Sequence, residues 1–309
     1  MMSAGPVLPQ PAYPTKPIRL INPFPPGGGA SIIGRLIAQE LTERLGQSVV
    51  FDNRGGAGGA IGMEIAAHAV PDGYTLTMST ASTVTIHPLL SKVPFDPIKD
   101  FAPVSHISNV PLVLVVHPSV PAKTVKEFIA LLKTQPGKFN FASSGKGTIS
   151  HLAGELFMNS AGVSMVHVPF RGGGPALVDL LGGQVQINFA NILSALPHVK
   201  GGRLRGLAVT SAKRSSAIPE LPTVAESALP GYEVLQWNGV LAPARVPTAI
   251  IARLNSEIER ILALPEMKTR LAADGADPAG GPPENFSAFI RADIDKWAKV
   301  IKTANVQAD

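Results

Sequence analysis

The sequence predicts an α/β protein made of two units of comparable size, and three observations carry that expectation. Short apolar runs alternate with stretches whose apolar residues recur at helical spacing, the pattern of successive β-α-β units. In each half, glycine-rich loops join a strand to a helix. Glycine (30) and proline (29) are abundant among the 309 residues but follow no Gly-X-Y period, so they punctuate many short elements.

Composition excludes several classes. With 45% hydrophobic and 16% charged residues the chain is not a disordered polymer. With no cysteine it has no disulfide framework, thiolate nucleophile or Cys-based zinc site. The net charge of +5 raises the question of nucleic acid. The basic residues are scattered, however, and the densest group (Arg203, Arg205, Lys213, Arg214) has no interleaved aromatics, so a solvated surface is expected. No stretch approaches the ~18–20 apolar residues of a membrane span. Residues 1–15 are proline-rich, without the basic start and apolar centre of a secretory signal, and are expected to be a loosely ordered leader.

The elements follow in order. Ile18–Asn22 is a short apolar strand ending in PFPPGGG, and a helix begins at Ser31 with Ile33, Leu36, Ile37, Leu41 and Leu45 on one face. A strand at Ser48–Phe51, a glycine-rich loop at Asp52–Gly59, a helix at Ile61–Ala69 and a strand at Tyr74–Met78 complete a β-α-β-α-β run, which implies parallel strands. The second unit repeats the pattern. Pro111–Val116 is an apolar strand, Thr124–Gln135 an amphipathic helix, and Phe139–Ala142 a strand leading through SSGKGTISHL into a helix. Val166–Pro169, a helix after RGGG, Val185–Phe189 and Gly206–Thr210 follow. Beyond Tyr232 come VLQWNGVLAP and helices at Thr248–Leu262, Glu266–Asp274 and Pro283–Thr303.

Ligands of open α/β sheets bind beyond the carboxyl ends of strands, where helix N-termini offer backbone N–H groups to anions. Pro23–Ala30 bares its backbone at Gly27, Gly28 and Gly29, but it lacks the GK[ST] of a phosphate loop, and a ligand-free tight turn reads equally well. Arg54–Gly62 has G-x-G-x-x-x-G rather than dinucleotide spacing, so close packing is its simpler role and no cofactor is expected. In Ser143–His151, the hydroxyls of Ser143, Thr148 and Ser150 can donate to a carboxylate, and Lys146 can add charge. Helix capping by Thr148 or Ser150 is compatible with that role. The adjacency of Ser150 and His151 suggests a hydrolase, but neighbours in a helix do not face each other and there is no G-x-S-x-G. The seven histidines are dispersed without metal-ligand spacing, so no metal is expected. Ser79, Thr80, Ser82 and Thr83 follow a strand at its ligand-binding end, and Trp237 can either stack on a ligand or pack.

With these motifs in place, the chain resembles one family from Tyr13 to about Val300. The segments YPTKPIRLINPFPPGGG, FDNRGGAGGAIG, PDGYTL, PFDPIKDFAPVS, FASSGKGTISHLAGELF, VPFRGGGPALVDLLGGQV, ALPHVKGGRLRGLAVT and LPTVAES resemble the Bug/TctC receptors of tripartite tricarboxylate transporters. The resemblance implies a two-lobed, type II periplasmic-binding-protein fold whose lobes close on an organic carboxylate. Residues 16–110 and 235–309 would form one lobe and residues 111–234 the other. It places the ligand against Phe24, Gly28, Gly29, Ala30 and Ser31, against Ser143, Gly147, Thr148 and Ser150, and against Ser82, Thr83 and Asn191. Arg171 and Trp237 are further carry-overs. It also implies a monomeric receptor in the periplasm that serves membrane transporter subunits without catalysis, a sensory subunit being the alternative.

Three positions depart from the family pattern. Ser31 stands where an acidic residue is usual, Val84 to Pro88 replace H-x-x-N-P, and Ala190 replaces the Asp before Asn191. Loss of two acidic positions disfavours an ammonium-bearing ligand and points to a hydrophobic or aromatic carboxylate, with Phe24, Val84 and Trp237 as apolar walls; a dicarboxylic acid stays open beside them. A bulky residue at Gly28 or Gly29 is expected to abolish binding.

Overall fold

The computed structural model describes residues 13–303. Up to residue 12, the expected leader lies outside the described residues. Its last residues are anchored, since the Tyr13 hydroxyl donates to the Gly73 carbonyl at 2.6 Å and its ring meets Tyr74 edge-on.

The first half opens as the sequence predicts. Strand β1 (Ile18–Asn22), helix α1 (Gly29–Leu45), strand β2 (Val49–Asn53), helix α2 (Ala60–Ala67) and strand β3 (Thr75–Thr80) follow one another, and β1 lies between β2 and β3 and pairs in parallel with both. Apolar residues at helical spacing bury Ile33, Leu36, Ile37 and Leu41 of α1 against the sheet, and Gly46 ends that helix in the left-handed conformation. After β3 comes an element that the sequence did not announce, a wide π-helical turn at Ala81–Ile86, followed by the short helix α3 (His87–Leu90). A reciprocal cap starts the turn: Thr83 N–H donates to Thr80 Oγ1, and Thr80 N–H to Thr83 Oγ1.

Strand β4 (Phe101–Val116) is sixteen residues long and much exceeds the expected Pro111–Val116. Its alternate residues serve two buried clusters. Val104, Val110, Val113 and Val115 join one, while Leu112, Leu114 and Val116 join the other. The second half then runs α4 (Val125–Thr134), β5 (Asn140–Ser143), α5 (Ile149–Ala161), β6 (Val166–Pro169), α6 (Gly173–Leu181), β7 (Ile187–Asn191), α7 (Ile192–Lys200), β8 (Arg205–Val209) and α8 (Val224–Ser227). Thr124 caps α4 by accepting from Glu127 N–H, and Val125, Phe128 and Leu132 form its buried stripe. Strand β5 pairs in parallel with β6 and β7. The chain returns through β9 (Leu235–Pro243), α9 (Thr248–Ala263), α10 (Pro265–Ala273), the two-residue β10 (Asp277–Pro278) and α11 (Pro283–Thr303).

The strands of both halves join in one continuous curled sheet of order β2-β1-β3-β9-β4-β7-β5-β6, with β8 and β10 also on β4. Joining them is β4 itself. From Phe101 to Pro111 it pairs antiparallel with β9, and from Leu112 onward it pairs with β7 and β8. Where β4 changes partners, the carboxyl ends of β1, β3, β5 and β7 approach one another with the helix N-termini that follow them.

Candidate functional site

A cavity of about 40 Å³, room for roughly three waters, lies at this meeting point. From the first half, Phe24, Gly28, Gly29 and Ala30 line it at the start of α1, with Ser82 from the π turn. Asn22 fixes that loop by donating its side-chain amide to the Phe24 carbonyl at 2.8 Å and to Asn53 Oδ1 at 2.9 Å. From the second half come Ser144 after β5, Gly173 at the start of α6, and Asn188, Ala190 and Asn191 of β7. Ser194 of α7 and Gln236 of β9 complete the wall.

Three helix N-termini therefore reach the cavity, those of α1, α6 and α7. Gly28 and Gly172 occupy the cap positions of α1 and α6 without a side-chain cap, so their first N–H groups are left for another acceptor. At α7 the cap is Asn191, whose Oδ1 accepts from Leu193 N–H at 3.1 Å. That bond orients the amide, and the buried Asn191 Nδ2 has no hydrogen-bond partner among the described residues. Among the described residues, no charged side chain lines the cavity. It is a neutral shell of three carboxamides and three hydroxyls, in which helix dipoles and N–H groups supply the positive potential.

Bare backbone is required at two places. A Cβ on Gly29 would overlap the Asn191 side chain, and one on Gly174 would overlap the Pro26 carbonyl oxygen of the opposite half. Across the same boundary, Ile149 N–H donates to Ser82 Oγ at 3.0 Å, so the start of α5 is capped by the other half of the molecule.

The expected residues divide into two groups. Phe24, Gly28, Gly29, Ala30, Ser82 and Asn191 line the cavity; Ser31, Thr83, Ser143, Gly147, Thr148, Ser150, Arg171 and Trp237 do not. Ser31 is buried in the first turn of α1, and Thr83 is engaged with Thr80. The Ser143 hydroxyl lies 2.6 Å from His167 Nε2 and accepts from Gly145 N–H at 3.1 Å. Thr148 sits at the cap position of α5, but its hydroxyl donates back to the Gly145 carbonyl at 2.7 Å. Ser150 Oγ accepts from Ser144 N–H at 2.9 Å, and Gly147 N–H donates to His151 Nδ1 at 3.3 Å. Arg171 is exposed. Trp237 is 2% exposed; it packs edge-on to Phe286 and Phe289 and donates to Asp293 Oδ2 at 2.8 Å. Val84 is likewise buried in the core, so of the three apolar walls expected only Phe24 faces the cavity. Ser144, Gly173, Asn188, Ser194 and Gln236 escaped sequence reasoning. Polar Asn188 within the apolar run VQINFA was the signal that could have found one of them.

Ionisable groups stand behind this shell. Burial holds the His87 imidazole below its ordinary value, with the Gly58 carbonyl opposing. Burial also pulls His106 down to about 4 against hydrogen bonds with Asn109 and Ser108, and its ring stacks on Phe286. The His151 and His167 rings stack at 4.0 Å beside Phe141. This Ser143–His167–His151 grouping looks like a proton relay, but Ser143 is fully buried and offers no approach to a substrate.

Known proteins share this architecture. Rpa4515 of R. palustris, solved with adipate, superposes with a TM-score of 0.93 at 37% identity, covering 96% of this chain and 99% of the other. The periplasmic binding protein BugD does so with a TM-score of 0.91 at 33% identity over 96% and 99%. MatC from Rhodopseudomonas palustris, with bound malate, gives 0.89 at 31% identity over 94% and 100%. The fold is thus that of the periplasmic binding proteins, as the sequence resemblance implied. The model of the tripartite tricarboxylate transporter family receptors matches residues 33–306, and this chain belongs to that family of solute receptors.

Proposed function

We propose that the protein captures a small, polar organic carboxylate between two lobes in the periplasm and presents it to the membrane subunits of a tripartite transporter. The observation that carries this reading is the convergence of the α1, α6 and α7 N-termini on one uncharged cavity, with Asn191 Nδ2 as an unused donor. An anion there gains several N–H bonds and the helix dipoles, with no acidic side chain to repel it. The adipate and malate held by the two R. palustris proteins support a dicarboxylate. With Val84 and Trp237 turned into the core, an aromatic acid loses the walls expected for it.

The lobes are residues 16–110 with 235–309, and residues 111–234, meeting where β4 changes partners. Contacts such as Ser82 with Ile149, and Gly174 with Pro26, cross between them and belong to the closed form, which ligand stabilises by binding both sides at once. The receptor acts as a monomer and performs no chemistry, since neither Ser143 nor Ser150 lines the cavity.

Calorimetric titration and thermal shift with adipate, malate, benzoate and aspartate test the proposal. Adipate or malate should bind with one-to-one stoichiometry, and saturation to 100 times the dissociation constant should add about 2.7 kcal/mol of stability. Binding of none of them, or preference for aspartate, would refute it.

A further inference from the structure

Behind the cavity, one carboxyl group joins three elements. Asp293 of α11 lies 2.8 Å from Trp237 Nε1 of β9 and 2.8 Å from Thr85 Oγ1 of the π turn, both through Oδ2. Each of those partners is close in sequence to a residue that lines the cavity. Thr85 is three residues from Ser82, within one helical turn, and Trp237 follows Gln236. Because successive strand side chains point to opposite faces, holding the indole on the core side holds the Gln236 amide on the cavity side. Ser82 is also the cap of α5 across the cleft.

The hydrogen count at Thr85 favours one state of the carboxyl group. The single hydroxyl proton of Thr85 has two acceptors at 2.8 Å, the Ala81 carbonyl and Asp293 Oδ2. An ionised Asp293 leaves one of these close oxygen–oxygen contacts without a proton. A carboxylic acid satisfies both: Asp293 donates to Thr85 Oγ1, Thr85 donates to Ala81 O, and Oδ2 still accepts from Trp237. The surroundings agree. The π turn and β9 carry no titratable side chain, and β4 contributes only His106, which meets the Trp237 ring edge-on and is itself held neutral. Burial raises the Asp293 carboxyl above its ordinary value, against hydrogen bonds from Trp237 and Thr85, the charge of Lys296 on its own helix and the Trp297 indole.

We propose that Asp293 is the positioning residue of the ligand site, a neutral carboxylic acid that fixes the turn bearing Ser82 and the strand bearing Gln236 together. The ligand half of this inference rests on the proposed function. It makes closure proton-dependent. Below the ordinary carboxylate range the joint is complete, and its contribution is lost as pH rises through the raised value.

The test uses the full chain with Asp293→Ala and Asp293→Asn, titrated with adipate and malate and unfolded thermally from acidic to alkaline pH. Removal of the joint by Asp293→Ala should weaken binding about tenfold. Asn retains a donor and an acceptor without titrating, so it should recover most of that loss and become more stable relative to the wild type as pH rises. The inference is overturned if Asp293→Ala binds like the wild type, if Asn is no better than Ala, or if wild type and Asn share one pH profile. If the wild type binds neither acid, the proposed function loses its ligands and the positioning role falls with it, while the unfolding profiles still decide the proton on Asp293.

Discussion

The loop after β1 and the loop after β5 both carry glycine at a strand-to-helix junction, yet they use their polar groups in opposite ways. Between Phe24 and Ala30 there is hardly a side-chain donor, and backbone from Gly28 to Ala30 faces the cavity. Between Ser143 and Ser150 there are four hydroxyls, and three of them close on their own loop: Ser143 on Gly145 and His167, Thr148 on Gly145, and Ser150 on Ser144. Only Ser144 reaches the cavity. A hydroxyl beside backbone finds an internal partner before it finds a ligand, whereas glycine leaves N–H groups uncommitted. The loop poor in functional groups is the one that turns its backbone to the cavity.

Four substitutions sharpen this contrast. The largest effect is expected in the first loop. Gly29→Ala should weaken adipate or malate binding by about a hundredfold, since its methyl group displaces the Asn191 amide, while Gly28→Ala, with only ordinary contacts to Gly173 and Gly174, should cost about threefold. Calorimetry separates the two, and equal losses would break the distinction. An intermediate effect belongs to the contact between halves. Ser82→Ala removes the cap of Ile149 N–H and should lower affinity about tenfold, with a smaller closed fraction by small-angle scattering. The least effect on binding is expected in the second loop. Ser143→Ala should destabilise the fold by about 1–3 kcal/mol in denaturant unfolding yet change affinity less than about twofold. Loss of binding without loss of stability would invert the comparison.

How much of this was legible follows from the same physics. Periodicity located α1, α4, α9 and α11 closely, because each buries one apolar stripe. Helix α7 was missed because Pro197 lies inside it, and the π turn because ASTVTI has neither helical nor alternating spacing. Family motifs led to Asn191 and the first loop. Asn188 left the signal of a polar residue in an apolar run, but Gln236 could not be found this way, since a polar residue in a buried strand is assigned to ligand or core only once its neighbours across the sheet are known. Trp237 shows the converse: its ring left stacking and packing equally open, and the half-buried Asp293 takes its N–H.

The antiparallel β4–β9 pair runs unbroken from Phe101 to Pro111 alongside Leu235 to Pro243, apart from two register shifts. Two flexible strings would let the halves swing freely. Here the ladder lies within the half proposed as residues 16–110 with 235–309 and ends at the Pro111–Leu235 pair, so the two crossings leave it side by side and resist bending in the sheet plane while yielding to twist. Opening and closing should then follow a single screw-like coordinate, with one preferred angle to which the molecule returns after each ligand departs.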